Sequence, residues 1–150
     1  MAKFIYPFQR ILELKERETE TAQYEVAKAL ERENKSQERL DALYNKIEEA
    51  QNELKEEQKH GMTADDLKIR MNFIIQLQKQ LTFEQYELNS AKQNVNRKRD
   101  LLTDRVKEEK TWTMLKDKKR EEHLFAENLA EQNVLDEMAT TRFFRTVTAR

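Results

Sequence analysis

The sequence predicts an all-α chain: two long helices in an antiparallel coiled-coil hairpin, with a C-terminal helical overhang. Three observations predict it. A single glycine and a single proline punctuate 150 residues, so almost nothing interrupts helix. Charged residues at 38% match the apolar share of 37%, which leaves enough apolar surface for a narrow buried stripe and not for a globular core. Apolar residues recur at alternating steps of four and three, the spacing of a coiled-coil seam.

The first helix is expected over about 7–59. Residues up to Tyr6 form a short apolar lead, and Pro7 suits a first helical turn, where its missing N–H is not needed. Counting from Phe8 in steps of four and three gives fifteen positions, of which ten are apolar: Phe8, Leu12, Ala22, Val26, Ala29, Leu40, Leu43, Ile47, Ala50 and Leu54. That is enough to define a seam. At 1.5 Å per residue the arm would be roughly 75–80 Å long.

A turn is expected at about 60–64. Gly61 is free to take the left-handed conformation that ends a helix, and Thr63, three residues before Asp66, is placed to cap the next one. The second helix follows over about 65–142, with 143–150 a tail that need not be ordered. Its seam is counted from Leu67 in the same steps. One column, Leu67, Ile74, Leu81, Leu88, Val95 and Leu102, is wholly aliphatic, and the other, Met71, Gln78, Gln85, Lys92, Arg99 and Val106, is mostly long and polar.

A short turn sets facing seam residues at numbers totalling 124 or 125. Large residues then meet small ones, such as Leu102 with Ala22 and Val95 with Ala29, so that layers interdigitate. Two oppositely charged seam pairs, Lys15 with Glu109 and Glu33 with Lys92, are expected to pin the register. The arms are also complementary in bulk. From Glu13 to Asp66 there are 16 acidic and 9 basic residues, a net of −7, and from Arg97 to Arg120 there are 10 basic and 5 acidic, a net of +5.

Composition excludes several classes of function. A net charge of −1 argues against general attraction to nucleic acid or anionic membrane. The cluster from Lys116 to Arg120 is interrupted by Asp117 and followed by Glu121 and Glu122, so it reads as a solvated helix face, and no nucleic-acid partner is expected. Without cysteine there are no disulfides or thiolate metal sites. His60 and His123 are far apart with no companion ligand, and both read as solvated. One glycine rules out a Gly-rich phosphate loop, and two helices offer no concave pocket for catalysis. No catalytic residue, metal or cofactor is expected. No apolar run approaches the ~20 residues of a transmembrane segment and no secretory leader is present, so a soluble cytoplasmic protein is expected.

What remains is large apolar residues off the seam. Phe73 and Leu77, one turn apart on helix two, are expected on an exposed strip beside Arg39, Leu43, Lys46 and Ala50. Tyr44 and Ile75 form a smaller cluster on the opposite edge. Helix one ends its pairing with Phe8 near Lys116, which leaves about thirty residues of helix two without a partner, carrying Phe125, Leu129, Val134, Leu135 and Met138. An isolated helix with unburied apolar residues is marginal in water and calls for another molecule.

The opening Phe4-Ile5-Tyr6-Pro7-Phe8-Gln9-Arg10-Ile11-Leu12-Glu13-Leu14-Lys15-Glu16 resembles the start of the FliJ family of flagellar export proteins. The stretch Glu127 to Phe143, with Asp136-Glu137-Met138-Ala139-Thr140-Thr141-Arg142, resembles that family's ending and its Asp-Glu-x-Ala-x-x-Arg signature. The resemblance implies a non-enzymatic stalk and adaptor of the flagellar type III export apparatus, cytoplasmic and peripheral to its membrane-bound part. It implies three partners: the hexameric export ATPase, held by the paired termini and promoted in its assembly; the export-gate protein FlhA, held by the middle of the hairpin; and export chaperones, which it escorts. Carried onto this sequence, the gate face falls on Leu43, Phe73 and Leu77, and the ATPase end on Phe4, Phe8, Leu12, Phe125, Leu129 and Met138. The chain is expected to be monomeric in isolation. The rival readings are a stalk protein of a virulence-type secretion system or rotary ATPase, a self-associating structural coiled coil, and a nucleic-acid adaptor.

Overall fold

A computed structural model describes residues 3–149. Two helices account for nearly all of them: α1, Gln9–Lys59, and α2, Ala64–Thr148. Helix α2 therefore runs through 143–148, where the sequence suggested a tail. The turn between them forms as its residues dictate. Gly61 sits at φ +91°, a conformation that costs a residue with a Cβ about 1–2 kcal/mol. The Thr63 hydroxyl accepts the backbone N–H of Asp66 at 3.2 Å, and Asp65 and Asp66 place negative charge on the positive end of α2.

The fold divides into two units. One runs from Glu20 to Asp104 and contains the turn; the other contains both chain ends, up to Thr19 and from Arg105 onward. In each, α1 and α2 pack antiparallel along a seam.

The α1 side of that seam lies where its spacing put it. Of the fifteen counted positions only Phe8 is exposed; Leu12, Thr19, Ala22, Val26, Ala29, Ser36, Leu40 and Ile47 are buried, and the rest are partly covered. The buried hydroxyls are satisfied, Thr19 by the Lys15 carbonyl at 3.0 Å and Ser36 by the Arg39 guanidinium at 3.2 Å.

On α2 one column lies as counted and the other does not. Met71, Gln78, Gln85, Lys92, Arg99 and Val106 are all exposed. The covered residues are one position earlier: Arg70, Leu77, Glu84, Ala91, Lys98 and Arg105. Four of these are charged, and each meets an opposite charge on α1. Arg70 lies 2.6 Å from Glu57 and 3.6 Å from Glu53, Glu84 3.7 Å from Arg39, Lys98 3.1 Å from Glu25 and Arg105 3.3 Å from Glu18. In one pair for each of these four residues, with Glu53, Arg39, Glu25 and Glu18, the residue numbers total 123. Long aliphatic stems cover the seam while their charged heads reach its rim, so charged residues serve where the counting sought apolar ones.

This ladder replaces the expected register pins. Lys15 bonds Glu108 at 3.1 Å, not Glu109, and also lies 3.4 Å from Glu18, so that Lys15, Glu18, Arg105 and Glu108 form one network. Glu33 and Lys92 make no pair, because the column shift turns Lys92 out to solvent. A slip of one heptad either way would set Arg70 against Lys46 or Lys98 against Arg32. Each slip makes one like-charge contact and only two opposite-charge pairs where the observed register has four, so both neighbouring registers are disfavoured.

Candidate functional site: two apolar surfaces

In the turn-containing unit, the flank beside the ladder carries Ile69, Phe73 and Phe83 on α2 at helical spacing, all more than half exposed. Two shallow grooves run along it. One is lined by Lys46, Ala50, Glu53, Phe73, Leu77 and Gln80, and the other by Arg39, Leu43, Lys46, Gln80 and Phe83. Phe73, at 53% exposure, and the half-buried Leu43 stand on this flank. Leu77, at 7% exposure, is mostly covered by the seam as a consequence of the column shift, and it lines the floor of the first groove. Phe83 and Ile69 are the residues that the sequence reading missed. Their signal was a second stripe, Ile69, Phe73, Gln76, Gln80 and Phe83, in steps of four and three. On the opposite flank the Tyr44 hydroxyl accepts the Gln85 amide at 2.9 Å.

In the unit holding the chain ends, the lead before α1 forms an aromatic clasp on α2. Tyr6 is buried at 5% and its hydroxyl donates to the Trp112 carbonyl at 3.4 Å. Its ring is edge-on to Phe8 at 5.9 Å; Phe8 is tilted against Trp112 at 5.8 Å and Phe4 against His123 at 5.4 Å. His123 is therefore not the solvated side chain expected; it is partly covered, with Nε2 3.3 Å from the Glu127 carboxylate. Leu12, at 3% exposure, is core and not surface. Past Glu127, every described residue of α2 is exposed, and Phe125 (71%), Leu129 and Met138 are among the uncovered apolar side chains.

The electrostatics of this unit centre on Lys15. Its ammonium is raised above the ordinary lysine range chiefly by its hydrogen bond to Glu108, and Glu108 is held below the ordinary glutamate range chiefly by the same bond. Both lie near solvent, so the bond orders side chains more than it stabilises the fold. Among the described residues no group of three metal-ligating side chains occurs, and no helix is long and apolar enough to cross a membrane.

Two antiparallel helices closed by one glycine turn, with an apolar flank in one unit and an apolar helix end in the other, define a two-helix coiled-coil protein with two uncovered apolar surfaces. The flagellar FliJ protein family model matches residues 4–148, and the chain belongs to that family. Among solved structures it is similar to CT670 of Chlamydia trachomatis, described as a YscO homolog, at 25% identity and a TM-score of 0.51, over 92% of this chain and 94% of that one. Comparison with curated proteins gives no match.

Proposed function

We propose that this chain is a non-enzymatic stalk and adaptor of the flagellar type III export apparatus. It engages the hexameric export ATPase with its terminal unit and the export-gate protein FlhA with the flank of its turn-containing unit. The family match over residues 4–148 carries the reading, and the separation of two apolar surfaces into two units supports the division of partners. ATPase assembly, escort of export chaperones and a peripheral position at the membrane-bound apparatus belong to the same proposal.

The burial pattern refines the residues. Gate contact is given to Phe73 and Phe83, with Leu43 lining the groove between the helices. Leu77 supports them from the seam. ATPase contact is given to Phe8, Phe125, Leu129 and Met138 on the surface, while Leu12 and the Phe4 ring hold the clasp beneath.

The test uses purified FlhA cytoplasmic domain. Phe73→Ala with Phe83→Ala should abolish its capture by the chain while leaving helicity intact. Undiminished capture would refute the flank assignment. A stalk of a virulence-type secretion system is the second reading, favoured by the likeness to CT670; for that reading, a counterpart gate protein would be captured and FlhA would not.

A further inference from the structure

Past Glu127, the face of α2 that continues the seam beyond the clasp has nothing among the described residues to cover it. In steps of three and four it reads Glu127, Glu131, Val134 with Leu135, Met138, Arg142 and Arg145. One shallow groove on it is lined by Glu131, Val134, Leu135 and Met138, and another shares the last three and reaches Arg142 and Arg145. Acid stands at one end, apolar side chains in the middle and base at the other. Read backwards, that order is its own complement.

We propose that this face pairs with the same face of a second copy of the chain, antiparallel, about a two-fold axis between Asp136 and Glu137. The pairing sets Glu131 opposite Arg142 and Leu135 opposite Met138. A two-fold interface makes each contact twice. Neither Glu131 nor Arg142 has an ion-pair partner among the described residues, so both are available. Asp136 and Glu137 at the axis do not clash, because both lie off the stripe on the helix surface. Parallel pairing is excluded by the same charges, since it would place Glu131 beside Glu131 and Arg142 beside Arg142. Such a dimer, in contrast to the monomer expected from the sequence, hides the apolar end. Met138 lies both on this face and on the surface assigned to the ATPase ring, so dimer and ring engagement compete; that consequence alone rests on the function proposed above.

The experiment is sedimentation velocity on the full chain without any partner. The wild-type chain should sediment as a dimer. Glu131→Arg alone and Arg142→Glu alone should each be monomeric, with helicity by circular dichroism unchanged. An equimolar mixture of the two variants should regain the dimer mass, because in the heterodimer both contacts again join opposite charges. Three results would each overturn the proposal: a wild-type chain monomeric up to about 1 mM, where association is worth only about 4 kcal/mol; single variants that dimerise as well as wild type; or a mixture that stays monomeric while both variants fold.

Discussion

Leu77 shows what a single residue decides in this fold. On the exposed strip its loss would touch only a partner; in the seam, at 7% exposure, its loss opens a cavity. Leu77→Ala is expected to cost about 2–5 kcal/mol, the range for a buried leucine, read as a lowered denaturation midpoint. Phe73→Ala, on the surface, should fall within about 0.5 kcal/mol. Gly61 separates backbone from packing in the same way. Nothing lies within 4 Å of where a Cβ would sit, so Gly61→Ala should lose only the left-handed backbone penalty of about 1–2 kcal/mol, and Gly61→Asn less. The Lys15–Glu108 bond adds a pH dependence whose sign differs at the two ends. Glu108, held low, contributes stability above the ordinary glutamate range and loses it as acid protonates it; Lys15, held high, contributes below the ordinary lysine range and loses it in strong alkali. Lys15→Met should flatten both limbs of the pH–stability curve, and a curve unchanged at the acid end would argue against the bond.

At the scale of the helices, α1 was legible in its sequence because its two seam columns are both largely small or apolar, so one spacing satisfied both. In α2 the column from Leu67 to Leu102 was equally plain, but it leaves the second column free to lie three residues later or four. Met71 and Val106 argue for one choice, Leu77, Ala91 and Trp112 for the other. Periodicity could not decide, because four members of the true column are charged. Pairing decides it, since Arg70, Glu84, Lys98 and Arg105 each find an opposite charge on α1. The ladder therefore predicts a double-mutant result. Glu25→Lys alone or Lys98→Glu alone should each cost about 0.5–1 kcal/mol of stability, read as a lowered thermal midpoint. The two together should recover most of it, and equal losses in all three variants would show that the pair does not set the register. The aromatic clasp was not legible at all, because five residues of lead carry no period and its partners Trp112 and His123 are distant in sequence.

At the scale of the molecule, the two units bear surfaces of different make. The turn-containing unit offers phenylalanines beside a charged ladder; the terminal unit offers a bare helix end held at its base by aromatic rings. Under the function proposed above, these surfaces serve different partners. The most direct test is the rate of ATP hydrolysis by the export ATPase with and without the chain. Phe125→Ala with Leu129→Ala should abolish the chain's stimulation of that rate, while Phe73→Ala with Phe83→Ala should leave it whole. Stimulation that survives the first pair and is lost with the second would contradict the assignment of the ATPase to the terminal unit.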